Sequence, residues 1–451
     1  MRNKMKNFAF EGFRLHKDLR YWDFPEHFSL EITNRCNLRC SHCFQSHFSF
    51  PRGDLKKGVW ERLKGHLGQV RSVSLSGAGE PLVAADFVSF FEECKRLGLV
   101  VGFTTNAIFL EKHLERLVGR LDQLFVSIDA IAEEIYRRRR GVSPAPVLRA
   151  LRKLHALKRN RKTERPEIFF ITVLNRENVA ELPSLVELAA QVGAAGIYAY
   201  HQIFYTEEAF RKSSLWFARE LYDRILRRAL LRAQKLGVTL IHPGSFDGEI
   251  PPHSATRSYL VPEGNGFRCN WIFHTFTVSW NGFVQACCFC DRLFMGNVFR
   301  EDLWEIWNGP TYRYLRLRFL RNERPPECQN CQFLQVFSLH QREAFLCPHY
   351  PERLYSEKAL LPASGFSLRA AEDLYRQGLA ALQEGQPETA AKLFSRILER
   401  ESLYFEAANA LGVAFAILGK RERAEETFRE ALKLFPKEPS ISHNLKMLSV
   451  R

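Results

Sequence analysis

The chain has 451 residues, 46% of them hydrophobic and 25% charged, with a net charge of +15, an ordinary globular composition with length for about three domains. No uncharged apolar run approaches transmembrane length, and Lys6, Glu11, Arg14 and Lys17 interrupt the apolar positions of the N-terminus, which excludes a membrane span and a signal-peptide core there and leads us to expect a cytoplasmic protein. Eleven cysteines, an odd number without an export signal, argue for reduced thiols and metal ligation over a disulfide framework.

From residue 28 to 240, short β-branched or aromatic runs alternate with longer helical patterns, the signature of a parallel sheet with crossover helices. Six strands are expected, at about Phe28–Thr33, Ser72–Ser76, Val100–Thr104, Gln123–Ile128, Ile168–Val173 and Gly196–Tyr200. Right-handed crossovers curve such units into a partial barrel, whose reactive residues gather at the C-terminal strand ends. The first strand runs into Cys36, Cys40 and Cys43, a C-x3-C-x2-C triplet. Ser76-Gly77-Ala78-Gly79-Glu80-Pro81 follows the second, Thr105-Asn106-Ala107 the third, Asp129-Ala130 the fourth and His201-Gln202 the sixth.

Three thiolates on one tight loop can hold three irons of a cubane 4Fe-4S cluster and leave the fourth iron open to a substrate. Structural cysteines or part of a zinc knuckle are the alternatives, although this spacing makes a poor tetrahedral half-site. Alone, the Gly-rich turn ending in Pro81 reads as a common loop. Beside the cysteine loop it gains a role: Gly79 lets backbone groups approach a small zwitterion, and Glu80 can accept from an ammonium. Tyr200, His201 and Gln202 could face a substrate, whereas Cys94, within a helical pattern, reads as a small core residue.

A second cysteine group follows: Cys269, Cys287, and the pair Cys328-x2-Cys331. By spacing alone a zinc ribbon and a full cluster site are equally served. Cys288, Cys290 and Cys347 are spare. The last block repeats at 34 residues, Gly378, Gly385, Ala390 and Phe394 recurring as Gly412, Gly419, Ala424 and Phe428 before Pro436. This fits the tetratricopeptide pattern of paired helices. Two repeats are fewer than independent stability needs, so the block is expected to dock on the core or self-associate, and serves either as a groove for a peptide or partner protein or as a packing module.

The ordered set of loops resembles the radical S-adenosylmethionine (SAM) superfamily over about residues 28–240. The resemblance implies a 4Fe-4S cluster on Cys36, Cys40 and Cys43 whose open iron binds the amino and carboxylate groups of SAM, cleaved on one-electron reduction to methionine and a 5'-deoxyadenosyl radical. Gly79, Glu80 and Pro81 look like part of the Gly-Gly-Glu-Pro motif near the SAM ammonium, with Ala78 replacing its first glycine. Asn106 resembles the asparagine of the family's Thr-Asn-Gly segment, Ser127 the polar residue near the SAM ribose or carboxylate, and Arg140-Gly141 the Arg-Gly after that strand. His42 stands where the family has an aromatic residue near adenine. Cys269, Cys287, Cys328 and Cys331, with Trp280-Asn281-Gly282, Gly296-Asn297 and Trp304 to Asn308, resemble SPASM/Twitch extensions, which implies an auxiliary 4Fe-4S cluster. Full SPASM domains continue with further closely spaced cysteines, so one auxiliary cluster is expected here.

The expected fold class is therefore α/β: a partial (β/α)6 radical SAM barrel, then a small α+β auxiliary cluster domain and an all-α tetratricopeptide-repeat domain. The expected boundaries are an N-terminal extension at 1–25, the barrel at 26–240, the auxiliary domain at 241–350, a linker at 351–366 and the repeats at 367–451. Residues 366–451 hold 13 basic and 12 acidic residues, leaving +14 on the first 365. Such a face can attract an acidic, low-potential electron donor such as flavodoxin or ferredoxin, with Arg35 and Arg39 beside the cluster loop, or an acidic peptide. No aromatic-interleaved nucleic-acid motif accompanies it, so RNA is not the expected partner. The expected activity is hydrogen abstraction from a peptide or protein substrate. Its rivals are oxidation of a small alcohol, as in an aminocyclitol dehydrogenase family with a similar extension, and a non-catalytic scaffold that recruits partners through its repeats.

Overall fold

Alternating burial drives the sheet. In Val100–Thr105, Val101, Phe103 and Thr105 are buried between half-exposed Gly102 and Thr104, and Glu167–Leu174 shows the same period of two over eight residues. The computed structural model describes residues 7–16, 22–253, 260–263, 266–269, 271–287, 290–320, 325, 328, 342, 345–346, 368–400, 404–436 and 438–450. The strands in chain order are β1 (Asn7–Phe10), β2 (Phe13–His16), β3 (His27–Leu30), β4 (Ser72–Ser74), β5 (Val100–Thr105), β6 (Gln123–Ser127), β7 (Glu167–Leu174), β8 (Gly196–His201), β9 (Thr239–Ile241), β10 (Leu260–Glu263), β11 (Gly266–Cys269), β12 (Thr275–Val278), β13 (Phe283–Cys287) and β14 (Cys290–Asn297).

The described residues form two compact units. In the larger one, residues 24–299 and 326–360, a ten-stranded sheet runs β14-β13-β12-β3-β4-β5-β6-β7-β8-β9. All six expected strands are present as β3 to β8, parallel and in sequence order. Two further parallel strands extend them: β9 beside β8, and β12 beside β3, with Leu30 opposite Val278. Both are three or four residues long, which left too little alternation to see in the sequence. The strands of the auxiliary region thus continue the barrel sheet, β13 and β14 adding antiparallel to β12. Crossover helices such as Phe87–Arg96, Ala145–Asn160 and Arg219–Leu236 each bury one apolar stripe.

The smaller unit gathers residues 1–23, 300–325 and 361–451. The repeats form paired helices Leu368–Gln383 with Pro387–Arg400 and Phe405–Ile417 with Arg421–Leu434, followed by Pro439–Val450. The recurring small residues act as the pattern requires. A Cβ on Gly378 would lie 2.5 Å from the Phe394 ring and one on Gly412 2.4 Å from the Phe428 ring, so each glycine admits the aromatic side chain of the paired helix. The repeats do not stand alone: the hairpin β1–β2 and the helix Pro310–Leu320 share their core through Phe13, Leu15 and Leu317. Arg313 and Glu406, both fully buried, form a bidentate pair at 2.6 and 2.7 Å.

Candidate active site

The cysteine loop leaves the C-terminal end of β3 and is wound on itself. Cys43 N–H donates to the Cys40 carbonyl at 3.1 Å, and Ser46 donates through its N–H to Cys43 O and through its hydroxyl to Cys40 O. Cys36, Cys40 and Cys43 carry free, half-buried thiols. Burial raises all three above an ordinary thiol, Cys43 to about 11, and the thiols and the nearby Arg140 charge lie within electrostatic reach of one another. The Cys36 sulfur accepts from Leu38 N–H at 3.5 Å and from the Asn106 carboxamide at 3.8 Å. Among the described residues no group of three His, Cys, Asp or Glu has the spacing to hold one metal ion. A cubane differs in giving each cysteine its own iron, and three thiols on one loop with N–H donors to sulfur and a fixed positive charge beside them suit it.

The Gly-rich turn packs directly on this loop. Glu80 N–H donates to Arg35 O at 2.8 Å, and the Gln45 carboxamide donates to Asn34 O and Ala78 O. A Cβ on Gly79 would stand 2.3 Å from Arg35 O and 2.6 Å from Thr33 O. What comes close to this glycine is therefore the protein's own backbone. Glu80 is buried, and its carboxylate accepts from Leu82 N–H (3.2 Å), the Thr105 hydroxyl (2.7 Å) and Asn106 N–H (2.6 Å). Three of its roughly four acceptor positions are thus taken within the protein. Desolvation raises its pKa and these donors lower it. The Asn106 side chain continues from this anchor to Asn37 Oδ1 at 2.8 Å and to Cys36. Ala107 takes the left-handed conformation (φ +61°) that glycine fills without strain.

On the other flank Asp129, fully buried, ends the β6 strand run. Its carboxylate accepts from Val173 N–H at 2.9 Å, pairs with Arg140 at 2.8 Å, and has His42 Nε2 at 3.5 Å and Arg139 Nε at 3.9 Å. Burial opposes its charge, but the Arg140 and Arg139 guanidiniums hold it well below the ordinary aspartate range. Burial depresses His42 to about 3, so the ring is neutral. The structure thus turns His42 inward onto Asp129. Ser41 N–H donates to Arg139 O at 2.8 Å, while the Arg139 guanidinium reaches Val173 O and Gln202 Oε1. The ends of β6, β7 and β8 are thereby tied to the cysteine loop. His201 faces the interior instead, caged by Tyr222, Phe246 and Phe345 at 4.5, 5.4 and 5.2 Å between ring centroids.

A cavity of about 720 Å³ occupies the barrel interior beneath these loops. Ser29, Ser72, Ser74, Gly102 and Thr104 leave it hollow, where a closed α/β barrel is filled by large branched side chains. Phe44, Phe125, Tyr198, Tyr200 and Trp271 supply aromatic wall, and Glu31 adds a carboxylate that accepts from Ala78 N–H at 2.9 Å. Ser127 ends β6, half-buried. Cys269 and Cys287 end β11 and β13, and Cys328 is half-buried. Cys288, Cys331 and Cys347 lie outside the described residues, and Cys290 is described by its backbone pairing with Cys287 alone. The sequence reading missed Asn37, Gln45 and Arg139, whose partners are distant along the chain. Polar residues within a loop already rich in signals were the one available hint.

A parallel α/β sheet with three cysteines after its first strand and a Gly-Glu-Pro turn after its second defines a radical SAM type of domain. The description "Radical SAM superfamily" matches residues 30–189, the SPASM iron-sulfur cluster-binding domain matches 269–332, and a tetratricopeptide repeat matches 375–439. These three domains in this order identify the chain as a radical SAM protein with a SPASM domain and tetratricopeptide repeats, a combination that implies SAM, a 4Fe-4S cluster and an auxiliary cluster. Its relatives include the tungsten-containing aldehyde ferredoxin oxidoreductase cofactor-modifying protein of Pyrococcus furiosus, 23% identical over 67% of this chain and 86% of that protein. The PqqA peptide cyclase of Gluconobacter oxydans is 25% identical over 67% and 81%. Among solved structures, Streptococcus suis SuiB bound to S-adenosylmethionine superposes with a TM-score of 0.51 at 16% identity, covering 76% of this chain and 78% of that one, a likeness of fold. Among the described residues no helix is long and apolar enough to cross a membrane.

Proposed function

We propose that the protein is a SAM-cleaving enzyme that abstracts hydrogen from a peptide or protein side chain held in the barrel. The observation that carries this reading is the joint anchoring of three loops: Asn106 connects the Glu80 carboxylate to the Cys36 sulfur, so the cysteine triplet, the Gly-Glu-Pro turn and the Thr-Asn segment form one rigid wall. With SAM on the open iron of a cluster held by Cys36, Cys40 and Cys43, the pair supplies a reductively generated hydrogen abstractor. The chain's own residues then do the positioning. Asn106 and Leu38 N–H steady the Cys36 sulfur, Arg140, paired with Asp129, places a positive charge near all three thiols, Ser127 sits at the end of the neighbouring strand, and His42 braces the loop on Asp129. Cys269, Cys287, Cys328 and Cys331 would hold the auxiliary cluster. A low-potential donor such as flavodoxin or ferredoxin supplies the electron.

For the substrate, the cavity joins the hydroxyls of Ser29, Ser74 and Thr104 to an aromatic wall. This favours a reacting side chain with a large apolar or aromatic body. The kinship to a peptide cyclase and the presence of repeats support a peptide as its source. A free small molecule is the second reading, favoured by the cavity volume of about 720 Å³. The deciding experiment measures 5'-deoxyadenosine from anaerobically reconstituted protein with SAM and a strong reductant, with Cys40→Ala as control. Release by wild type alone supports the proposal. No release from protein with its full iron complement, with or without peptides from the gene's neighbourhood, moves weight to the non-catalytic scaffold.

A further inference from the structure

The inner face of the repeat helices already holds an extended chain. Asn409 and Asn444 are fully buried, and both carboxamides grip the main chain of one residue of β2. Asn444 Oδ1 accepts from Arg14 N–H at 2.7 Å, while Asn444 Nδ2 and Asn409 Nδ2 donate to Arg14 O at 2.9 and 2.8 Å. Asn444 also donates to Asn409 Oδ1 at 2.8 Å. Two residues further along, the Tyr375 hydroxyl donates to His16 O at 2.8 Å. Tyr375, Asn409 and Asn444 lie on three successive first helices, in register with the 34-residue repeat to within one residue. One repeat position therefore reads the backbone of a strand, and buried carboxamides of this kind require hydrogen-bond partners, which β2 supplies through its main chain.

The occupant is held by the groove more than by its own hairpin. A two-stranded hairpin is marginal by itself. Its turn places Glu11 at φ +49° ahead of Gly12 at φ +85°, a left-handed pair in which glutamate is a poor first residue. Phe13, Leu15 and His16 supply the buried side chains, the His16 ring meeting Ser440 Oγ at 3.0 Å and Phe405 edge-on, while Arg14, whose backbone is gripped, points its side chain to solvent. Recognition is thus of main chain plus two large apolar residues spaced two apart, with a polar ring after the second.

We propose that the repeat block is a binding site for an extended peptide with large apolar residues two apart, and that β2 is the chain's internal competitor for it. Such a peptide adds in place of β2, with its backbone on Asn409 and Asn444. This specifies a docking mode for the peptide substrate proposed above, but it stands or falls by binding, independently of SAM cleavage.

The test uses a fluorescent peptide of residues 7–16 added in trans to the full chain. Because self-occupancy lowers apparent affinity by the fraction of open groove, a Phe13→Ser/Leu15→Ser chain should bind the peptide at least about tenfold more tightly than wild type. Adding Asn409→Ala and Asn444→Ala should abolish that gain. A folded Phe13→Ser/Leu15→Ser chain that ignores the peptide overturns the proposal. If that variant does not fold, hydrogen exchange on the wild type decides. Amides of Arg14 and Leu15 that exchange faster than those of the Phe405–Ile417 helix support a displaceable strand, and amides that open only with the whole repeat block refute it.

Discussion

Asp129→Asn is the sharpest perturbation of the wall behind the cysteine loop, because it removes a charge and almost no volume. The carboxylate is fully buried between Arg140 at 2.8 Å and Arg139 at 3.9 Å. Deleting one partner of a buried ion pair costs about 3–5 kcal/mol, since the opposing charge is left without compensation. Here two guanidiniums share one carboxylate, so the upper half of that range is expected. The loss propagates to the cysteine loop because Arg139 O accepts Ser41 N–H and its guanidinium holds Val173 and Gln202. The carboxyl is held below the ordinary aspartate range, so its contribution is fully present above that range and is lost only in acid; the variant should therefore show the same deficit at pH 6 and pH 8. The assay is a melting curve of the metal-free chain, followed by iron per chain after anaerobic reconstitution. Arg139→Met and the double variant complete a cycle whose coupling should exceed about 1 kcal/mol, as expected for groups in one network. Unchanged melting and full iron uptake by Asp129→Asn would refute the idea that this pair braces the loop.

Glu80→Gln, its amide oxygen kept by Leu82 N–H and the Thr105 hydroxyl, sets an N–H2 against Asn106 N–H, so a loss of about 1–3 kcal/mol and a loosened Asn106 are expected; equal melting temperatures would show that the carboxylate is not an anchor. Gly412→Ala should destabilise the repeats by about 1–3 kcal/mol through the Phe428 clash, against the gain of up to about 1 kcal/mol that alanine brings to a helix; a raised melting temperature would mean that the helices part freely. Burial in its aromatic cage pushes His201 down to about 3. Since the unfolded chain takes up this proton first, folding stability falls as pH drops below about 6.5, by about 2 kcal/mol at pH 5. His201→Phe should flatten that slope, and an unaltered pH profile by urea titration counts against the assignment.

Much of the sheet was readable because β5 and β7 are long enough to show their period, and their bounds match the expected runs within about two residues. What escaped lies at the margins: β9 and β12 are too short to carry a pattern, and β12 joins β3 from some 250 residues away. The same distance hid the hairpin. The Phe13-x-Leu15 alternation was visible, but nothing local says that a strand near residue 14 meets helices beyond residue 400. In the candidate site, the cysteines, Glu80 and Asn106 stood out by type and spacing, and the structure brings them together. Arg139 did not, because in an Arg137-to-Arg140 run the sequence cannot tell which side chains fold inward. Exposed Arg137 and Arg138 pair within their own helix, whereas Arg139 and Arg140 are buried.

The pairing of β3 with β12 has a consequence for how the chain can change. The strand that runs into the cysteine triplet is an interior member of the sheet, flanked by β4 and by a strand from the auxiliary region. A one-residue insertion or deletion within Thr275–Val278 would swap which faces of that strand meet the cavity and the helices, since its register with His27–Leu30 is fixed residue by residue. Loops beyond the strand ends are under no such constraint. A change of length is thus accommodated in those loops and not inside the ladder that β3 and β12 share.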